Sequence, residues 1–245
     1  MAEGRTGKGG PGGGPLPRRL TDEAEASRDG DHAIPPDLVP FLPGTTAEAW
    51  VKVAPLIPDS AYLAGGTGLT VHLHHRVSRD LDFMLERDED LERLRGALEE
   101  VGRLGVTYQD DGTLNGLLDG TKVQFLRAAD QKVLRPAIVV AGIRVASVED
   151  IVAMKLKVIM DRGEMRDYFD LMEIDRRAIP AEEGIALFLE KYNPRESDQL
   201  VATIVRSLGY LDDVADDPAL PVERDAIESY WISRQREVLA NLSRS

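Results

Sequence analysis

Asp80 and Asp82 are the residues of this chain whose types and spacing best suit chemistry. An i, i+2 spacing on an extended strand turns both carboxylates to one face, while Leu81 and Phe83 point to the other. Two like charges side by side repel, and an interior position tolerates them when a cation lies between. Oxygen-only ligands favour Mg²⁺ or Mn²⁺ over zinc. Upstream, after a gap of 13 residues, Gly65-Gly66 ends the short apolar run AYLA and precedes TGLTVHLHH, which reads as a helix. Glycines there let a phosphate reach backbone N–H groups at a helix N-terminus, which carries partial positive charge. Taken alone, Gly-Gly is a turn and Asp-x-Asp a solvated strand face. In the order strand, Gly-Gly, helix, strand, the two favour a site for a metal-bound phosphate chain.

Lys155 is the next candidate. On a helical wheel it shares the apolar side with Ile151, Val158 and Ile159, whereas Lys157 falls opposite. A lysine on such a stripe either snorkels to water or meets an anion, and a nucleotide phosphate is the anion expected here. Arg162 lies on the same side as a second phosphate candidate, and Arg76 and Arg79 are others. Asp170 stands i+4 from Arg166, a spacing that also suits a plain surface ion pair. His72, His74 and His75 lie close together, but a closed zinc site is not expected without cysteine, so they read as surface or substrate-facing.

The elements that position these residues follow from periodicity. Thr46 is a candidate cap for a helix over AEAWVKVAPLI, broken at Asp59-Ser60. AYLAGG reads as a buried strand and DLDFML as an alternating one. DEDLERLRGALEE puts Leu91, Leu94 and Leu98 on one helix face. VTYQ, TLNGLLDG and TKVQFLRA read as antiparallel strands joined by Asp-Gly turns, and GIRVA as another strand. Ser147-x-x-Asp150 opens the helix VEDIVAMKLKVIM as a capping box does, and more helices follow. The fold class is α+β: a Gly/Pro-rich tail over 1–37, a mixed α/β lobe over 38–146 and a helical lobe over 147–245. The tail holds 8 of the 22 glycines and 5 of the 14 prolines, too little apolar surface to offset its chain entropy.

The string GGTGLTVHLHHRVSRDLDF, with its GG-x13-D-x-D core, resembles the DNA polymerase β-type nucleotidyltransferase superfamily, and within it the AbiEii/AbiGii (MenT-type) toxins of toxin–antitoxin and phage-defence systems. VASVEDIVAMKLKVIMDRGEMRDYFDLMEI is similar to that family's second block, a helix bearing MKL and then one bearing RDxxDL. The resemblance spans roughly residues 61–176. It implies that Asp80 and Asp82 hold Mg²⁺ on the triphosphate of an NTP, and that Lys155 and Asp170 are needed for activity. The candidate nucleotide-binding residues are Gly65, Gly66, Thr67, Ser78, Arg79 and Arg162. Ser78 also matches a serine that a kinase-like antitoxin modifies in some relatives. The implied reaction is nucleotide transfer to RNA, at the 3′ end of tRNA, which would block translation until a cognate antitoxin intervenes. One departure stands out: a third carboxylate of this fold would fall at Gln124, which takes no proton. Transfer to a protein or small-molecule hydroxyl, and a binding-only module, therefore remain as alternatives.

Composition bounds the rest. The absence of cysteine excludes disulfides, thiolate metal sites and a thiol nucleophile. No apolar run is long enough to span a membrane, and the first residues lack the apolar core of a secretory signal, so a cytoplasmic protein is expected. The net charge of −13 excludes a basic nucleic-acid coat. Yet residues 121–166, which hold Lys155, carry a local excess of +4, so RNA contact at the site is expected to be local and salt-sensitive. Oligomeric state is not legible.

Overall fold

The computed structural model describes residues 33–195 and 197–242, apart from the side chain of Arg162. The expected tail falls outside the described residues as far as residue 32. By Ile34 the chain already packs on the core.

Alternation builds the sheet. In chain order the first elements are α1 (Gly44–Val53), β1 (Ala61–Leu63), α2 (Gly65–Leu73), β2 (Leu81–Leu85) and α3 (Leu91–Val101). Then come β3 (Leu104–Gln109), β4 (Thr113–Leu118), β5 (Thr121–Arg127), β6 (Ile138–Val140) and β7 (Ile143–Val145). The seven strands lie in the order β3-β4-β5-β2-β1-β7-β6. β3, β4 and β5 form an antiparallel meander, turned at the expected Asp-Gly positions. β2 runs antiparallel to β1 and parallel to β5, and β1 runs parallel to β7. The sheet is thus mixed.

Period-2 burial separates its faces. Leu81, Phe83 and Leu85 of β2 and Val123 and Phe125 of β5 turn to one side, where Trp50, Val53, Leu94 and Leu98 of α1 and α3 cover them. Phe83 and Phe125 stack there with centroids 4.9 Å apart. Tyr62 and Met84 turn to the opposite side, onto a core with α2 and the later helices. Those helices are α4 (Val148–Arg162), α5 (Met165–Arg177), α6 (Ala181–Tyr192), α7 (Ser197–Leu208) and α8 (Arg224–Leu242). Sheet and helices belong to one compact unit. Among the described residues no helix is long and apolar enough to cross a membrane.

Two local expectations need correction, and one strand is added. α1 starts at Gly44, not after a Thr46 cap, because the Thr46 hydroxyl donates instead to the Arg79 carbonyl at 3.1 Å. The capping box of α4 forms by half: Ser147 Oγ accepts from Asp150 N at 3.1 Å. The Asp150 carboxylate accepts from the Ser147 hydroxyl at 2.8 Å rather than closing the box onto the Ser147 N–H, and it also accepts from Leu134 N at 3.0 Å and from the buried Lys191 Nζ at 2.7 Å. β6, which the sequence reading did not single out, is three β-branched residues whose Ile138 and Val139 are exposed and show no alternation.

Candidate active site

The β1–α2 turn lies directly against β2. Ala64 N donates to the Asp82 carbonyl at 2.8 Å, and α2 begins at the first glycine, two residues earlier than TGLT suggests. Gly65 has φ +61°, and a Cβ on it would stand 2.4 Å from Asp82 Oδ2. A Cβ on Gly66 would stand 2.4 Å from Arg76 Nη2. The two glycines therefore let a carboxylate and a guanidinium approach the helix mouth. Gly68 N already donates to the Ala64 carbonyl at 2.9 Å, so Gly65, Gly66 and Thr67 make up the first turn, whose N–H groups lack intrahelical acceptors. The Thr67 side chain faces inward: its hydroxyl donates to the Asp80 carbonyl and lies 2.8 Å from Ser78 Oγ. This fixes the chain just ahead of the first aspartate.

Asp80 precedes β2 by one residue and Asp82 lies within it. Both carboxylates open into a cleft whose walls include Gly65, Gly66 and Ser78 on one side and Lys122 and Gln124 of β5 on the other. Asp82 pairs in register with Gln124. Among the described residues no hydrogen bond or ion pair holds the Asp82 carboxylate. Burial pushes its pKa up, Lys122 pulls it down and Asp80 adds to the rise. Asp80 Oδ2 lies 3.4 Å from Arg166 Nη1, while the Arg166 Nη2 pairs with Glu164 at 2.7 Å.

Behind the cleft lies a buried charge cluster. Arg76 Nε and Nη2 grip Asp170 Oδ1 and Oδ2 at 2.6 and 2.8 Å. His75 Nε2 lies 2.8 Å from Asp170 Oδ1. Lys155 Nζ reaches Asp170 Oδ2 at 2.7 Å and Asp167 Oδ1 at 2.6 Å. Burial alone would raise the Asp170 pKa, but Lys155 and Arg76 hold it far below the usual carboxylate range. Burial likewise opposes the charge on Lys155, and Asp170 and Asp167 more than offset it, keeping the ammonium protonated.

These contacts revise the sequence reading. Lys155 does share the apolar stripe, but the anions it meets are Asp167 and Asp170 of α5. Asp170 is fully buried rather than paired with Arg166 at the surface. It stands behind the cleft, as a residue that positions Lys155 and Arg76. His75 is buried, not surface or substrate-facing, and His72 Nε2 is held 2.8 Å from the Ala146 carbonyl. Arg79 is exposed and does not line the main cleft but an adjoining hollow, which it shares with Asp217 and with the cleft residues Arg76, Asp80 and Arg166. The side chain of Arg162 lies outside the described residues. Sequence reasoning missed Lys122, Arg166 and Asp167 as cleft residues. Lys122 carried one usable signal, its i, i+2 relation to Gln124 on the same strand face.

A divalent cation fits the donor set on chemical grounds. Two carboxylates with hard oxygens converge, and the buried one has no other partner. Among the described residues no group of three or more His, Cys, Asp or Glu forms a self-sufficient cage. Two carboxylates supplemented by water and substrate phosphate oxygens match how Mg²⁺ is usually held.

The matches with known proteins agree with this geometry. The family model described as "Nucleotidyl transferase AbiEii toxin, Type IV TA system" matches residues 52–140 and 120–242. An uncharacterized protein of Aquifex aeolicus (strain VF5) is 32% identical over 201 residues, covering 79% of this chain and 96% of that one. Among solved structures, MenT4, a nucleotidyltransferase toxin of Mycobacterium tuberculosis, superposes with a TM-score of 0.56 at 16% identity, covering 83% of this chain and 87% of its own. JHP933 of Helicobacter pylori superposes with a TM-score of 0.52 at 17% identity, covering 86% of this chain and 96% of that one. At such identities the structural likeness speaks for the fold, and the family match over most of the chain speaks for kinship. This chain belongs to the AbiEii nucleotidyl transferase toxin family of type IV toxin–antitoxin systems.

Proposed function

We propose that the protein transfers a nucleotide from an NTP to an RNA hydroxyl, at the 3′ end of tRNA, releasing pyrophosphate and blocking translation until a cognate antitoxin restrains it. The observation that carries the reading is the placement of Asp80 and Asp82 opposite the Gly65-Gly66 helix mouth in one cleft. The first-turn N–H groups of α2 take phosphate oxygens. Asp80 and Asp82 would hold Mg²⁺ or Mn²⁺, which when bound would supply charge screening for the triphosphate and the leaving pyrophosphate. Arg76 and Lys155 line the cleft with their charge balanced by Asp170 from behind and by Asp167 at the cleft wall, so they are fixed in place before substrate arrives. The acceptor oxygen attacks the α-phosphorus in line, forming one P–O bond as the bond to pyrophosphate breaks and giving its proton to water. Positioning and charge stabilisation dominate phosphoryl transfer, so Gln124 in place of a carboxylate is compatible with turnover.

The test is incubation of the purified protein with Mg²⁺, tRNA and each labelled NTP in turn. Label on RNA with one or more NTPs is the expected result; none with any NTP removes the reading. Gln124 motivates one other reading, a nucleotide-binding module without catalysis. It requires thermal stabilisation by NTP with no label transferred to any acceptor.

A further inference from the structure

The sheet face that carries the aspartates does not end at the cleft. Lys122, Gln124 and Leu126 of β5 share that face, and the register continues it from Asp82 to Gln124, to Asn115 of β4 and to Tyr108 of β3. Tyr108 reaches this face because of a register break. Val106 pairs with Gly116 and Tyr108 with Asn115, so Thr107 is an extra residue in β3. In an unbroken strand Tyr108, two residues on from Val106, would share its inward face; the bulge at Thr107 turns the ring out, which is how a bulge re-aims a side chain. The ring is 53% exposed, and Leu117, the register partner of Lys122, is 45% exposed. Asn115, on the same face, is half-buried, and its Oδ1 is buried with no hydrogen-bond partner among the described residues. The result is a strip about 14 Å wide, three strand spacings, running outward from Asp82 and exposed at Lys122, Leu117 and Tyr108.

Charge distinguishes Lys122 from the other cleft cations. Arg76 and Lys155 are neutralised by Asp170 and Asp167, and Arg166 is shared by Asp80 and Glu164. Lys122 makes no ion pair among the described residues. It also lies across Asp82 from the helix mouth, because β5 and the β1–α2 turn flank β2 on opposite sides. In-line displacement puts the entering oxygen and the leaving pyrophosphate on opposite sides of phosphorus. If the triphosphate lies toward Gly65-Gly66, the acceptor enters from the β5 side. A single-stranded nucleic-acid end is recognised by cations under its phosphates and aromatic rings against its bases, which is what this strip offers.

We propose that the open face of β3, β4 and β5 is the bed for the single-stranded 3′ end of the RNA acceptor, with Lys122 under a terminal phosphate and Tyr108 stacked on a base further back. This rests on the nucleotide-transfer reading of the cleft. The experiment uses full-length protein, tRNA and a fluorescent single-stranded RNA oligonucleotide, measuring both binding by anisotropy and label transfer. Tyr108→Ala and Lys122→Ala should each weaken RNA binding or raise the KM for tRNA about tenfold, and Tyr108→Ala, which lies outside the cleft, should leave the KM for NTP unchanged. Tyr108→Phe, which keeps the ring, should stay near wild type. Lys122→Ala should also lower the salt dependence of RNA binding by about one unit of log–log slope, and Tyr108→Ala should not. If wild type transfers label to tRNA and neither alanine variant changes binding or KM for RNA, the bed is wrong and the transfer reading stands. If wild type binds the oligonucleotide, the variants weaken that binding, and no label moves, the bed stands and the transfer reading falls. Failure of wild type to bind RNA at all overturns the bed.

Discussion

Arg76 and Asp170 meet through two hydrogen bonds, at 2.6 and 2.8 Å, across 94 positions of sequence. Asp170 is fully buried and also meets Lys155, so one carboxylate answers two buried cations. Removing it leaves both without their main partner. Asp170→Ala should cost about 3–5 kcal/mol, the range for breaking a buried pair from one side. Urea unfolding measures this, and a loss below ~1 kcal/mol would mean the cluster is not an energetic keystone.

The same carboxylate sets a pH dependence. Its pKa in the folded state lies far below the ordinary carboxylate range, held there against burial by Lys155 and Arg76. A depressed folded pKa stabilises the protein above the unfolded value of about 3.9, and that stability is lost as pH falls through the folded one. Glu182 acts with the same sign: a hydrogen bond from Arg234 holds it at about 2 against an ordinary 4.5. Stability should therefore drop steadily between pH 4.5 and about 2. In thermal scans across that window Glu182→Gln should show a shallower drop than wild type. Identical slopes would show that the Arg234 contact is not maintained in solution.

Glycine replacements separate function from propensity. Gly65→Ala forces a side chain onto φ +61° and 2.4 Å from Asp82 Oδ2. The backbone term is about 1–2 kcal/mol, but the contact displaces the carboxylate itself, so nucleotide transfer should be lost while the fold persists. Gly96→Ala is the matched control. Gly96 lies within α3 with nothing within 4 Å of a Cβ, so alanine should stabilise by about 1 kcal/mol and leave transfer unchanged. Transfer by Gly65→Ala at the wild-type rate would rule out the close approach of Asp82 as a requirement.

What the sequence made legible was local. Alternation placed Leu81 and Phe83 inward, and three leucines at helical spacing placed the inner face of α3. The Gly-Gly and Asp-x-Asp pair located the cleft because strand, turn, helix and strand follow one another within about twenty residues. Partner identity was not legible. The stripe on α4 showed that Lys155 needs an anion, but Asp167 and Asp170 face it only because α5 folds back against α4. His75 and Arg76 gave no sign of burial, since their partner lies 95 and 94 positions away. Tyr108 was hidden for another reason: one extra residue in β3 inverts its face, and periodicity cannot reveal an insertion that only the partner strand defines.

Asp82 offers the sharpest separation of stability from activity. Its carboxylate faces the cleft from a strand packed on both sides, with no hydrogen bond or ion pair among the described residues. A charge held so is destabilising unless a cation joins it. Asp82→Asn keeps the shape and removes the charge. In buffer freed of divalent cations the variant should melt at or above the wild-type temperature. Adding Mg²⁺ with NTP should stabilise wild type and leave the variant unmoved, and the variant should transfer no label. An Asp82→Asn protein that melts well below wild type would make Asp82 a structural residue, because only a lost folded-state contact lowers stability when a lone charge is neutralised. Retained transfer would instead place the cation on Asp80 and substrate oxygens alone, and Asp82 would then serve only to crowd the helix mouth that Gly65 keeps open.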